Sequence, residues 1–466
     1  LYLKNARQII RALLRVCILL LTQIKSEDIM KKTTDLCVTY INTDEIKEYV
    51  NNTKIHSRKQ ITQIKKSIME FGYINPILID ERNEIIAGHG RLRAAIEAGM
   101  SQIPVIQIGH LSEAQKKTYR IADNKLTENG EWDINLLQIE FKSIEALDSD
   151  IKLDATGFAV EEIDNIFKAG EKEADVKSNI VPYINEDEII SKEGDIWLLG
   201  KHKIICGNAL EEPTYKILFE DKQADMIFTD PPFNVSVNGH VCGNGSVKHD
   251  EFKYASGEMS STEFQEFLKK AFGLLKSFSK SGSLSYICMD WRHIKEIINA
   301  ADGVYDELKN LCVWNKNNAG MGSFYRSKHE LVFVFKNGSK PHINNINLGT
   351  NGRYRTNVWD YAGVNAFGKE QQNLKMHPTV KPAELIKDAI LDASNRNAII
   401  LDAFLGSGST LIAAEQSNRI CYGIEIEPKY IDTAIRRYEE LTGKDAIHMQ
   451  TGRKYAELLK MKMEAI

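Results

Sequence analysis

The sequence predicts an α/β fold: a mainly parallel sheet with helices on both faces, preceded by a small α+β module. Three observations carry this expectation. From Ile196 onward, short apolar runs alternate with segments of helical periodicity, the pattern of strands joined by crossover helices. Between residues 38 and 110 two helical segments are interleaved with three short apolar runs, too few for a large sheet. Residues 169–195 separate the two regions and are rich in Glu, Asp and Lys, with Ile180–Ile184 as their main apolar stretch, which is linker composition. A length of 466 residues with 43% apolar content is enough for two or three packed domains.

The first 37 residues read as a tail. Ile18–Leu21 is apolar behind basic residues, but the run is short for a signal peptide and far too short to span a bilayer. Met30-Lys31-Lys32 reads like a natural start, and residues 1–29 are assigned no function.

The small module covers residues 38–130. Ile61, Ile64, Ile68 and Phe71 fall on one face of a helix over Gln60–Phe71, which Gly72 ends. Pro76–Asp80 and Ile85–Ala87 read as strands. Gly88-His89-Gly90 opens a helix over Arg91–Ala98, and Ile103–Ile108 is a third strand. A mostly helical segment and the acidic linker follow over residues 131–195.

The large domain spans 196–455. Its predicted strands are Lys203–Cys206, Ala224–Thr229, Ser283–Met289, Leu331–Phe335, Ala398–Asp402 and Ile420–Ile426, with helices such as Ser261–Lys276 and Pro382–Ser394 between them. Net charge is −4, which neither requires nor excludes a nucleic-acid partner, because a local basic groove is enough to neutralise phosphates. The seven Cys are scattered singly, which argues against a zinc ribbon or a disulfide framework and fits a reducing cytoplasm.

Three motifs carry chemistry. Asp230-Pro231-Pro232-Phe233 follows the apolar run Met226–Phe228, at the carboxyl end of a strand where open α/β sheets bind ligands. Asp230 and the Pro231 carbonyl can accept hydrogen bonds from an aromatic amine, favouring a pyramidal nitrogen with a directed lone pair. The prolines stiffen the loop, and Phe233 can stack on an unpaired base. The second motif, Asp402-Ala403-Phe404-Leu405-Gly406-Ser407-Gly408, turns from a predicted strand into a helix, and its glycines permit close backbone approach to a ligand. It is neither a GxGxxG nor a Walker loop. Glu425, at the end of the next strand, stands where an acid would hold ribose hydroxyls. The third is His377-Pro378-Thr379-Val380-Lys381-Pro382, at a helix start.

In this order the motifs resemble the permuted, beta group of DNA amino-methyltransferases over roughly residues 195–455. The resemblance implies a Rossmann-like fold using S-adenosylmethionine (SAM) as cofactor and double-stranded DNA as partner. It implies that Asp230, Pro231, Pro232 and Phe233 are catalytic, and that Asn208, Thr379, Lys381, Asp402, Phe404, Gly406, Gly408 and Glu425 contact the cofactor. Relatives often have Asp where this chain has Asn208. The stretch Gly88-His89-Gly90-Arg91-Leu92-Arg93 resembles the ParB/sulfiredoxin superfamily. This implies phosphate binding through Gly88, Arg91 and Arg93, of DNA or of a nucleotide. Partition proteins usually carry Glu-Arg where His89-Gly90 stand here.

Lys316, Arg326, Lys328, Arg353 and Arg355 are the predicted DNA-facing cations, the last two within a target-recognition insert over about 337–375. The implied reaction is N6 methylation of adenine after base flipping. N4 methylation of cytosine uses the same mechanism, and Asp rather than Ser at position 230 favours adenine. A C5-cytosine enzyme needs a Cys nucleophile, usually after Pro, and no Pro-Cys occurs. A ParB-like regulatory protein with an inactive methyltransferase domain is the alternative from another class, opposed by the intact motifs. A nuclease is opposed by the absence of a metal-binding carboxylate cluster in the N-terminal module. No membrane association is expected, and a homodimer is compatible with the sequence.

Overall fold

The computed structural model describes residues 36–148, 151–168, 181–182, 184–235, 257–317, 324–346, 354–363 and 380–465. The chain divides into two compact units, one ending at Ala159 and one beginning at Val160. No helix among the described residues is long and apolar enough to cross a membrane.

In the first unit, four strands among the described residues form a sheet in the order β1-β4-β2-β3: β1 (Val38–Asn42), β2 (Ile77–Ile79), β3 (Ile85–Ala87) and β4 (Gln102–Gln107). Helix α1 (Arg58–Phe71) starts at Ser57, whose hydroxyl accepts from Gln60 N, and stops at Gly72 at φ 79°. Helix α2 (His89–Glu97) packs on α1. Ile77, Ile79, Ile85, Leu92, Ile103 and Val105 form the core. Strand β1 pairs only at the edge, and its alternation is weak because most of it is exposed. Helices α3 (Glu113–Thr127) and α4 (Ile134–Leu147) complete the unit.

In the second unit, ten strands among the described residues make one sheet, ordered β11-β9-β10-β8-β7-β12-β13-β6-β5-β14. Five central strands are parallel: β8 (Leu284–Met289), β7 (Met226–Thr229), β12 (Ile399–Asp402), β13 (Ile420–Glu425) and β6 (His202–Cys206). Each was legible as an apolar run because a parallel strand is buried on both faces. The flanks are largely antiparallel: β10 (His329–Lys336) and β9 (Glu307–Asn315) on one side, β5 (Ile196–Leu199) and β14 (Ala446–His448) on the other. Strand β11 (Val358–Asp360) runs parallel to β9 at the edge.

Side chains alternate across this sheet. Ile227, Leu401 and Ile424 face helices α6 (Glu212–Phe219), α7 (Ser261–Ser277) and α8 (Ile294–Ala301). Met226, Phe228 and Ile400 face helix α9 (Ala383–Ala393). Helices α10 (Ser409–Gln416) and α11 (Pro428–Thr442) pack over β6 and β13. The chain leaves β7 towards β8 and leaves β12 towards β13, on opposite sides. The β7–β12 boundary is therefore a topological switch point, where a crevice opens at the carboxyl ends of the strands.

The segment expected as one helical stretch is split. Helix α4 belongs to the first unit, whereas α5 (Val160–Lys168) belongs to the second. The reason is Asp164, which is buried and grips Arg419 at 3.0 and 2.9 Å and Arg396 at 3.1 Å. Asp164→Ala would leave the buried Arg419 guanidinium without its carboxylate. It should cost about 3–5 kcal/mol in urea unfolding of the second unit; a loss under about 1 kcal/mol would show that α5 is held by packing alone.

Candidate active site

A pocket lies at the switch point, beyond β6, β7, β12 and β13. Its walls combine the turn after β7 (Asp230, Pro231, Pro232, Phe233) with the turn after β12 (Asp402–Ser407) and Glu425 from the end of β13. Asn208, Lys381, Phe267 and Ile386 also line it. Residues far apart in sequence thus converge because the strands that carry them end side by side.

Thr229, the last residue of β7, donates to Asp402 Oδ1 at 2.8 Å and pins the two strand ends together. The other Asp402 oxygen accepts from Thr410 at 2.6 Å, and Oδ1 also accepts from Phe404 N at 3.1 Å. Asp402 was expected to touch the cofactor; it borders the pocket, but its carboxylate bonds inward and shapes the turn. Gly408 is a clearer correction. It does not line the pocket. Its φ of 84° and its close approach to α11, where a Cβ would meet Ala434 Cβ at 2.8 Å, explain the glycine. Gly406, at φ 53°, does line the pocket and donates from N to Glu425 Oε2 at 2.8 Å. Behind the turn, the buried Arg437 of α11 donates to Ser407 O at 3.1 Å and to Ser409 Oγ at 3.1 Å. In the sequence the only sign of this support is a charged residue among the buried positions of the helix.

Glu425 Oε1 accepts from Glu427 N at 2.9 Å. Burial pushes the Glu425 carboxyl up to about 7, although the Glu427 and Gly406 N–H groups oppose the rise. Asn208 turns back on its own loop, accepting from Leu210 N and donating to Glu211.

The centre of the site is a buried charge cluster. Lys381 Nζ lies 2.6 Å from Asp230 Oδ2 and 2.9 Å from Glu330 Oε2, and the Lys381 side chain is only 5% exposed. Lys316 pairs with the other oxygen of Glu330. Two carboxylates and two ammonium groups therefore balance. Asp230 Oδ1 is buried and has no hydrogen-bond partner among the described residues. Burial raises the Asp230 carboxyl above its ordinary value, Lys381 opposes this, and Glu330 adds to it. Burial would raise Glu330 too, but Lys381 and Lys316 outweigh it and hold Glu330 at about 2. The Lys381 ammonium also sits 5.2 Å from the centre of the Phe233 ring. Lys381 was expected beside the cofactor; it borders that pocket, but its bonds go to the acid of the first motif. Glu330 was not recognised as a site residue, although it opens the apolar run of β10.

The remaining expected residues fall apart. Arg355 is drawn into a cluster within the unit rather than standing free as a surface cation. Its guanidinium is held by Asp392 at 3.0 Å, Asp388 at 3.4 Å and the Tyr361 hydroxyl at 2.7 Å, and it lies 5.1 Å from the Trp359 ring centre. Lys316, besides pairing with Glu330, stands 4.5 Å from the Trp314 ring centre. Arg326 and Lys328 are exposed in the β9–β10 connection, beside the exposed rings of Phe324 and Tyr325. Arg353 and Thr379 lie outside the described residues, as do residues 1–29. In the first unit, Gly88 takes φ 110° at the start of α2. Arg91 donates to the Asn75 and Pro76 carbonyls at 3.0 and 3.2 Å, whereas Arg93 pairs with Glu48 at 2.7 Å. Residues two apart on a helix do not share a face, so the two arginines do not form one cluster.

A Rossmann-like sheet with a pocket at its switch point, lined by an acid with one buried oxygen that has no hydrogen-bond partner among the described residues, defines the class. The chain belongs to the DNA methylase family, which matches residues 224–436; the ParB N-terminal domain family matches residues 27–125. The type II methyltransferase M2.MboI of Moraxella bovis is 30% identical over 250 residues, covering 51% of this chain and 88% of that protein. The DNA adenine methyltransferase YhdJ of Escherichia coli is 30% identical over 264 residues, covering 51% and 82%. The ParB-like nuclease domain-containing protein YnaK of Escherichia coli is 44% identical over 82 residues, covering 18% and 94%.

The raised Glu425 carboxyl gives a pH test. Its folded value, about 7, exceeds the ordinary 4.5, so its contribution to stability is full below 4.5 and is lost as pH rises through 7. Asp402 and Asp432, both pushed by burial to about 6, act in the same direction. The ligand-free protein should lose thermal stability between pH 5 and pH 8. Glu425→Gln should flatten that loss by a few kcal/mol, at roughly 1.4 kcal/mol for each tenfold change in proton affinity. Parallel pH profiles of melting for the two proteins would show that Glu425 is not held neutral.

Proposed function

We propose that this chain transfers the methyl group of SAM to the N6 amine of an adenine flipped out of duplex DNA, with Asp230 as the residue that receives the amine. The observation that carries this reading is Asp230 Oδ1, a buried carboxylate oxygen at the pocket wall with no partner among the described residues. Such an atom is costly unless something fills its valence during function. An amine N–H does so, and the Pro231 carbonyl can accept the second.

The residues present fit the cofactor. Glu425 offers a carboxylate for ribose hydroxyls, Gly406 lets the backbone come close, and Phe404 and Phe267, with ring centres 6.1 Å apart, give an apolar wall. SAM would supply an electrophilic methyl group. The chain supplies the rest. Asp230 and Pro231 orient the nitrogen lone pair, and Phe233 offers a face for the base. As the methyl arrives, positive charge grows on nitrogen, and Asp230 stabilises that charge more in the transition state than before it. Burial holds the Asp230 carboxyl above its usual range, which suits an acceptor of the proton that the nitrogen then releases. Adenine is favoured over cytosine by Asp at position 230 and by the similarity to a relative named as an adenine methyltransferase. For the first unit we propose phosphate contact at the start of α2, with Gly88 and Arg91 facing either DNA or a nucleotide.

Two measurements test this. Isothermal titration at pH 8, above the raised Glu425 value of about 7, should show SAM binding, weakened about tenfold by Glu425→Gln through loss of a charge-assisted hydrogen bond. Undiminished affinity would place the ribose elsewhere. Transfer of labelled methyl groups to duplex DNA at saturating SAM should fall by about two to three orders of magnitude in Asp230→Ala, with SAM affinity unchanged. Asp230→Asn should retain more activity, since its carbonyl still accepts one hydrogen bond. Equal turnover of wild type and Asp230→Ala would sink the catalytic assignment.

A further inference from the structure

The Asp230–Lys381 pair does not stand alone. Lys381 Nζ is shared between Asp230 Oδ2, at 2.6 Å, and Glu330 Oε2, at 2.9 Å. An ammonium with three N–H donors and one carboxylate would be free to straddle both oxygens of that carboxylate. A second carboxylate draws it to one side. Here the ammonium contacts Oδ2, while Oδ1 keeps its valence. Glu330 is itself fixed. Lys316 holds its other oxygen, and β10 sets it opposite Trp314 in the β9–β10 ladder. Lys316 N also donates to Lys328 O at 2.8 Å, closing the neck of the connection between these strands. That connection carries exposed Phe324, Tyr325, Arg326 and Lys328.

We infer that Glu330, backed by Lys316, is a positioning residue for methyl transfer: it holds the Lys381 ammonium on Oδ2 of Asp230, keeps Oδ1 available to the target amine, and ties the catalytic acid to the aromatic and basic β9–β10 connection. The inference rests on the methyl-transfer reading above. The charges that reach Asp230 are those of Lys381 before α9, Glu330 on β10 and Lys316 after β9, and the Asp230 charge in turn reaches the titratable groups Cys288 on β8 and Asp402 on β12. Without Glu330, Lys381 turns wholly to Asp230 and covers the acceptor oxygen. Without Lys316, Glu330 draws Lys381 away from Asp230.

Turnover and its pH profile separate this role from a merely structural one. Glu330→Gln, close to isosteric, should lower kcat about ten- to a hundredfold, with KM for SAM within about twofold. Removing a negative neighbour should also move the acid limb of kcat to lower pH. Lys316→Met should lower kcat as well, but move the acid limb to higher pH. Opposite shifts from two neighbouring substitutions are not produced by general loosening of the fold. If Glu330→Gln fails to fold, Lys316→Met still gives a signed result. The carboxyl infrared band of Asp230, identified by its loss in Asp230→Asn, reads the same two shifts in the enzyme without DNA. A wild type that transfers no methyl group would therefore overturn the methyl-transfer reading, while the infrared shifts still decide whether the clamp exists. Unchanged kcat and acid limb in Glu330→Gln, or limb shifts of the same sign in both variants, would overturn the inference.

Discussion

An ammonium group taken out of water must be met by carboxylates, and the active site is arranged around that requirement. Lys381 is almost wholly buried, so it cannot hold its charge without Asp230 and Glu330. Those two acids come from the turn after β7 and the start of β10, while Lys381 itself precedes α9. Satisfying one cation thus fixes three segments at the carboxyl edge of the sheet. The same arrangement leaves one buried carboxylate oxygen without a hydrogen-bond partner among the described residues, on an acid that lines the pocket where the reaction is proposed to occur. Stability and chemistry draw on the same group of charges.

The cofactor side follows a different rule. Its polar groups are satisfied by backbone and by neighbouring hydroxyls. Asp402 binds Thr229, Thr410 and Phe404 N, and Glu425 binds Gly406 N and Glu427 N. Such carboxylates are held near neutrality by burial rather than by cations. The pocket therefore joins a charge-balanced end, where Asp230 stands, to a cradle whose acids are pressed towards their protonated forms. A ligand with hydroxyl donors at one end and a positively charged reacting centre at the other suits both.

The central strands were readable because burial on both faces leaves an unbroken apolar run, as in Met226–Phe228 and Ile399–Leu401. Among the flanking strands β10 was readable, as Leu331–Phe335, but the others were not. Glu307–Asn315 begins with exposed polar residues, and Val358–Asp360 and Ala446–His448 are too short to show a period. The turns after β7 and β12 border the pocket because they mark strand ends, where topology puts ligands, whereas the third motif stands at a helix start and reaches the pocket through Val380 and Lys381. What sequence could not convey was which charges pair. Arg355 has the composition of a DNA contact, yet Asp388 and Asp392 on one face of α9 claim it. Glu330 reads as the polar start of a strand, and only its distance from Lys381 shows otherwise. Gly408 fits a ligand-binding glycine by spacing, whereas the nearness of Ala434 is what requires it.

The clamp between Asp164 and Arg419 bears on how the polypeptide is made. Its two residues are 255 positions apart, and Asp432 receives Ser191 across 241. On a ribosome, α5 is synthesised long before β13, so Asp164 emerges with no guanidinium to receive it. The second unit can therefore complete its fold only after nearly the whole chain has been released, and until then its apolar strands depend on protection from aggregation. The first unit, whose sheet pairs lie within about seventy residues of one another, needs no such delay. Vectorial synthesis should thus yield a folded amino-terminal unit trailing an unfinished catalytic one.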